Sequence, residues 1–193
     1  MDTNRRNLIV TGAGLAVLTL ASAGCTTTSG ASGDPAEQRR ALDASADSAL
    51  SRLYAQQRGS KELVNSARGV LVFPSVVSAG FIVGAATGQG VLRKGGKTAG
   101  YFRMSEGSVG LLAGAQSQAV FILFMTDGAL KRFESSNGWT AGVDASVSMI
   151  TVGANAEVTT QTAQQEIIGF VLTNAGLMGS VSLNGSRITR LSI

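Results

Sequence analysis

Four basic side chains fall within eleven residues and form the most promising cluster for chemistry in the chain: Arg93, Lys94, Lys97 and Arg103. The first three flank the dipeptide Gly95-Gly96, which predicts a two-residue hairpin turn between two strands. Cations around such a turn can hold a phosphate group through charge-assisted hydrogen bonds, with help from outward-facing backbone amides. The pattern therefore predicts an anionic head-group site, with a solvated charged hairpin tip as the alternative.

The single cysteine, Cys25, is the second candidate for chemistry. Arg5 and Arg6 precede an uncharged, mostly apolar run over 8–23, and small residues stand directly before the cysteine. A positive start, an apolar middle and a small-residue cleavage site are typical of a secretory signal. A cysteine at this junction resembles that of a bacterial lipoprotein, whose thiol carries fatty acids such as palmitate. We therefore expect residues 1–24 to be a signal peptide and Cys25 to be lipidated, a plain signal peptide being the alternative.

The composition excludes several classes of site. The 193 residues include no histidine and one cysteine, so a histidine-based nucleophile pair, a histidine-ligated zinc site and an intrachain disulfide are all ruled out. A net charge of +4 without a recognisable nucleic-acid-binding module does not indicate nucleic-acid binding. We expect a protein that is not an enzyme and that uses no cofactor, no metal and no nucleic acid.

Two helices are predicted ahead of the glycine-rich part of the chain. Residues 25–33 are mostly Thr, Ser, Ala and Gly, which predicts a flexible tether. Asp34 followed by Pro35 is a helix start, and the apolar spacing that follows predicts an amphipathic helix ending near Gly59. A second helix is expected over residues 60–68.

Beyond these helices, short apolar runs separated by glycine predict a sheet, interrupted by one short helix over 126–134. The predicted strands cover 70–73, 80–84, 90–93, 98–104, 109–114, 119–125, 139–152, 167–173, 177–183 and 187–191. A transmembrane span over the uncharged stretch 107–126 is the rival interpretation. The fold class expected is α+β: a single domain over 34–193 in which N-terminal amphipathic helices pack on a Gly-rich, strongly curved, mainly antiparallel β-sheet or barrel-like sandwich.

Glycine recurs loosely along the strand region, and each recurrence is followed four residues later by another small residue. The central positions are Gly80, Gly110, Gly142 and Gly176. Because positions four apart share one face of a strand, this pattern predicts strong curvature or the close approach of another element. Asp144 is the only acid between 134 and 157, and we expect a buried carboxylate that holds a turn or bulge together by hydrogen bonds.

Several segments, taken in order, resemble the SYLF-domain family. They are 69–74, 79–84, 107–110, 114–117, 142–146 and 174–177, together with Trp139. The resemblance spans about residues 40–193 and implies the fold of that family and lipid binding. Eukaryotic members bind phosphoinositides, and the yeast actin-patch proteins also bind actin filaments, whereas bacterial members are mostly exported.

The function expected is that of an exported, lipid-anchored, non-catalytic protein that binds anionic or phosphoinositide-like head groups at a membrane surface. The alternative is a structural or protein-interaction module of the cell envelope, including the family's actin binding, with no specific lipid ligand. The expected partners are membrane lipids and an envelope or host protein. The expected location is the bacterial outer membrane or cell surface, on its periplasmic or extracellular face.

Overall fold

A computed structural model of the protein describes residues 34–80, 83–109, 114–151, 164–173 and 183–193. The predicted signal peptide and tether, with Cys25, lie outside the described residues, as do Gly110 and Gly176. The predicted strand over 177–183 also falls outside them, apart from its last residue.

Three helices occur in the described part of the chain: α1 (Pro35–Gln56), α2 (Ser60–Ser66) and α3 (Asp127–Ser135). The side chain of Asp34 caps α1 by accepting a 2.9 Å hydrogen bond from the Ala36 amide, as its position before a proline predicts. Thr126 caps α3 in the same way, accepting a 3.2 Å bond from the Ala129 amide. The local start signal at Asp34 therefore predicts where α1 begins, whereas α3 is capped by Thr126 and not by the acid that follows it, Asp127.

Eight described strands form one sheet. They are β1 (Gly69–Gly80), β2 (Val83–Lys94), β3 (Lys97–Val109), β4 (Gly114–Phe124), β5 (Trp139–Thr140), β6 (Ser148–Thr151), β7 (Ile167–Thr173) and β8 (Arg187–Arg190). Their order across the sheet is β5-β8-β3-β2-β1-β4-β7-β6, and only the β6–β7 pair among them is parallel. The sheet is a strongly curved half-barrel, so the predicted α+β class with a curved, mainly antiparallel sheet is confirmed.

The first four strands are longer than predicted, with 11 to 13 residues each. Glycines and Pro74 were predicted to end strands. β1 nevertheless continues past Pro74, because its pairing with both β2 and β4 shifts register there. Gly90 also lies inside a strand, where its missing side chain leaves room for Phe73. The prediction of many short strands was therefore wrong in this half of the sheet.

The rival transmembrane span over 107–126 is also contradicted. Residues 114–124 form β4, which pairs with β1 and β7 along its length. Among the described residues, none of the helices has the length and apolar character needed to cross a membrane.

Strand alternation separates the core into two layers. One sheet face, here called the α1 face, packs Val70, Val72 and Phe121 against α1 and α2. The opposite face, here called the α3 face, packs Phe102 and Phe124 against α3. Away from the register shift at Pro74, adjacent residues of a strand therefore belong to different layers.

An aromatic cluster holds α3 on its face of the sheet. The Phe133 ring lies 5.0 Å from Phe102, 4.8 Å from Phe124 and 5.8 Å from Trp139, measured between ring centroids. All four side chains are buried. Trp139 is thus part of the core.

Candidate functional site

The hairpin turn between β2 and β3 forms where Gly95-Gly96 predicts it. Both glycines have positive φ, at 54° and 77°, and Lys94 pairs directly with Lys97 across the turn. A two-residue turn that follows the right-handed twist of its strands requires this backbone region, which glycine adopts without steric cost. The turn was therefore predictable from two residues.

Arg93, the first of the four hairpin cations, is a structural contact between β2 and α1. Its guanidinium lies 2.8 Å from Asp47 Oδ1 and 3.4 Å from Asp43 Oδ1, and it donates a 3.2 Å bond to the Asp43 carbonyl oxygen. The side chain is only 15% exposed. A partly buried cation with two carboxylates within 3.4 Å has little charge left to offer a ligand.

Asp43 connects α1 to the adjacent strand as well. Its carboxylate accepts a 2.7 Å hydrogen bond from Thr98 Oγ1 and a 3.0 Å bond from the Tyr101 hydroxyl. Burial, and then the hydrogen bond to Asp43, raise the pKa of Tyr101 above its ordinary value of 10.0. One carboxylate on α1 therefore ties the helix to both strands of the hairpin.

The substitution Tyr101→Phe tests this connection. At pH 7 we expect a loss of about 1 kcal/mol in the free energy of unfolding, because one partly buried hydrogen bond disappears. Because folding raises the pKa of Tyr101, the phenol ionises at a lower pH in the unfolded chain than in the folded one. Tyr101 therefore stabilises the fold fully below pH 10, and this stabilisation is lost as the pH rises above 10. Urea denaturation at pH 7 and at pH 11 should show the difference between wild type and variant shrinking, and a difference that grows with pH would contradict the argument.

Lys94 makes the corresponding contact on the other side of the sheet. Its Nζ lies 3.0 Å and 3.1 Å from the two carboxylate oxygens of Glu134 in α3. Arg93 and Lys94 are adjacent in sequence but bind helices on opposite layers, because side chains alternate along a strand. Each one holds a different helix on the sheet.

Lys97 and Arg103 are exposed and have no ionic partner among the residues that the structure describes. Lys97 pairs with Lys94 and so lies on the α3 face, whereas Arg103 pairs with Gln89 on the α1 face. The four cations therefore divide into two pairs on opposite faces, and one head group cannot contact all four. A head-group site at these residues remains a prediction that depends on Lys97 and Arg103.

Asp144 and Gly142 lie in a tight turn between β5 and β6, and the prediction of a continuous strand over 139–152 was wrong. Asp144 is exposed rather than buried, and its Oδ2 accepts a 2.6 Å hydrogen bond from the Thr140 amide. Gly142 has a φ of +81°, and a Cβ there would lie 2.5 Å from Asn184 Oδ1. Glycine is required at this position by the positive φ of a turn and by the close approach of Asn184, and not by the curvature of a strand. Gly80 does end a strand, β1.

A surface that sequence reasoning missed lies on the α1 face, where β1 to β3 extend beyond the part covered by α1. Its exposed side chains, here called the open face, are those of Ser75, Val77, Ala79, Ala85, Thr87, Arg103 and Ser105, with Gly107 at the edge. Val77 is 47% exposed, which is unusual for an apolar residue in a central strand. The sequence signal was available as alternating small residues along 75–79 and 85–87, but only the position of α1 shows that they are uncovered.

A cleft of about 670 Å³ runs between the flank of α1 and this part of the sheet. Its lining residues are Leu42, Ala44, Ser45, Ser48, Arg52, Pro74, Ser75 and Gln89. The cleft and the open face share Ser75 and form one continuous surface. Within the described ranges, acidic and cysteine side chains form no group of three that could hold a metal ion.

Residues 105–192 match the profile of the Ysc84 family, described as Las17-binding protein actin regulator. This part of the chain is similar to the Ysc84 (SYLF) family. The match confirms the resemblance found in the sequence, and it runs from the middle of β3 through β8. No curated protein sequence matches the chain.

Proposed function

We propose that this chain is a non-catalytic interaction module of the cell envelope, held at a membrane surface by lipid on Cys25. The Ysc84 match supports an interaction role in membrane or protein binding. One observation favours a protein partner over a lipid head group: Arg93 and Lys94 are paired with Asp47 and Glu134. Because half of the hairpin's positive charge is neutralised by the protein's own helices, the surface left for an interaction is the open face.

The predicted anchor suits this role. Eight residues, 26–33, separate Cys25 from Asp34, which caps α1. An extended chain covers at most about 3.5 Å per residue, so a tether of this length keeps the start of the domain within about 28 Å of the lipid. Two-dimensional confinement of this kind raises the local concentration of a partner on the same membrane.

A cytoplasmic partner does not follow from the family description. The family description names Las17 binding and actin regulation. An exported chain meets neither in its own cell, so the partner that we propose is an envelope protein, or a host protein for a cell that lives within a host.

Head-group binding is a second candidate, since Lys97 and Arg103 are exposed cations without an ionic partner in the described part of the chain. Isolated surface cations contribute about 1 kcal/mol each near an anionic membrane. Two such residues on opposite faces cannot both lie against one flat bilayer. This geometry makes lipid binding by the folded domain the weaker candidate.

Vesicle flotation tests the anchor and separates the two candidates. We expect the wild-type protein to float with neutral phosphatidylcholine vesicles. Cys25→Ser, produced without residues 1–24 so that the apolar signal segment is absent, should remain at the bottom of the gradient because it has no acyl chain. Thr27→Ala, in the tether, is the matched control and should float like wild type. If Cys25→Ser floats with anionic phosphatidylglycerol vesicles, and the double change Lys97→Ala and Arg103→Ala abolishes that flotation, then head-group binding is the function and the protein-interaction proposal fails.

A further inference from the structure

We propose that the open face and its adjoining cleft bind an acidic amphipathic helix of a partner protein, which lies beside α1 on the same sheet. This inference rests on the proposed function, because it specifies the partner of that interaction surface. Three observations support this inference: the length of sheet that α1 leaves uncovered, the small size of the side chains on that part of the sheet, and the sign of the charge there.

The uncovered sheet has room for one helix. On β1 it runs from Ser75 to Ala79, five residues that extend about 17 Å at the usual rise per strand residue. A helix with its side chains is about 10 to 12 Å wide. A second helix next to α1 would therefore fit on the strands that are already present, and no rearrangement of the sheet is required.

The side chains of the open face permit a helix to approach closely. Ala79, Ala85 and Ser105 are small and exposed, and Val77 is the only large apolar side chain among them. α1 packs on the neighbouring part of this face through Ala46, Ala49 and Leu53, all fully buried, against larger sheet side chains such as Val70 and Val72. On the uncovered part the small side chains belong to the sheet, so a partner helix can place leucines against it.

The charges of this surface select an acidic partner. Arg103 lies exposed on the open face, whereas no Asp or Glu belongs to the described residues of that face or of the cleft lining. Two of the three acids of α1, Asp43 and Asp47, face the hairpin, and the third, Glu37, lies in the first turn of the helix. A second copy of this chain would bring arginine against arginine, which like-charge repulsion disfavours. A membrane surface does not match it either, because bilayer-seeking surfaces carry several large apolar side chains.

A designed peptide pair tests the inference on the full chain in a neutral detergent. The probe is a labelled 21-residue helical peptide with Ala and Leu on one side and Glu on the other, and its twin carries Lys in place of every Glu. We expect fluorescence anisotropy to show at least about tenfold tighter binding of the Glu peptide. Arg103→Glu should reverse this preference, because it replaces the attractive charge by a repulsive one.

Substitutions at Val77 make the test specific to the open face. Val77→Glu should weaken binding of the Glu peptide by about tenfold, whereas Val77→Lys should strengthen it, although both place a charged side chain at the same position. Val143, in the exposed turn before β6, is 77% exposed and provides the matched control, so Val143→Glu should leave the affinity unchanged.

Several results would overturn the inference. Equal binding of the two peptides, or an equal loss for Val77→Glu and Val143→Glu, would show that the open face does not recognise an acidic helix. Sedimentation that shows a dimer dissociated by Val77→Glu would identify a second copy as the occupant. Neither result affects the flotation experiment, so a failure here with intact Cys25-dependent flotation rejects the acidic helix and leaves the membrane-anchored role in place.

Discussion

Phe133→Ala is expected to lower the free energy of unfolding by about 3 to 5 kcal/mol, among the largest effects of any single truncation in this fold. Phe133 contacts the rings of Phe102, Phe124 and Trp139 within 6 Å, and it is 2% exposed. Truncation removes these contacts and leaves a cavity under α3. Because α3 is only nine residues long, it has few other apolar contacts with which to stay on the sheet.

The single tryptophan reports this change directly. Trp139 is buried against Phe133, so its emission should shift to longer wavelength as the cluster opens, and the urea midpoint should fall. Lys131→Ala, at an exposed position of the same helix, is the control and should change stability by less than about 0.5 kcal/mol. A loss below about 1 kcal/mol for Phe133→Ala would mean that the cluster does not hold α3 in place.

Gly90→Val is expected to lower the free energy of unfolding by nearly as much, because it adds atoms to a packed core instead of removing them. A Cβ at this position would lie 2.5 Å from Phe73 Cδ1 and 2.7 Å from the backbone oxygen of Val72. The backbone atom cannot rotate away, so β1 and β2 must separate or Phe73 must leave its place in the core. We expect a loss of about 3 kcal/mol, at the upper end of the range for overpacked cores.

Gly107→Val is the matched control, because it also replaces a strand glycine by valine. A Cβ at Gly107 meets no atom within 4 Å. Valine also prefers extended backbone, so this variant should be neutral or more stable by up to about 1 kcal/mol. Chemical denaturation of both variants tests this explanation. If Gly90→Val and Gly107→Val lower the free energy of unfolding equally, then the close contact between Gly90 and Phe73 is not the cause of the loss.

The helix starts and the hairpin turn could be predicted because their signals are local. Asp34 and Pro35 begin α1, and Gly95-Gly96 forms the turn, in each case through the backbone preferences of two adjacent residues. Strand ends were predicted less well. Gly90 and Pro74 are usual signs of a strand end, yet both lie within strands, at a close contact and at a register shift.

The candidate site shows a sharper limit of prediction. Four cations close in sequence suggested one anion site, but alternation along β2 sends Arg93 and Lys94 to opposite layers. Their partners, Asp47 and Glu134, lie 46 and 40 residues away in the chain, so a pattern of neighbouring residues cannot predict them. The open face was missed for the same reason, since its small residues become a surface only where α1 fails to cover them.

Composition and local pattern by themselves therefore determined the α+β class, the family resemblance, the turn and the absence of histidine chemistry. The tertiary structure alone decided which charges are paired, which glycines are sterically required and which part of the sheet stays open. The physical reason is that backbone preferences act between neighbouring residues, whereas charge pairing and burial depend on residues that only the folded chain brings together.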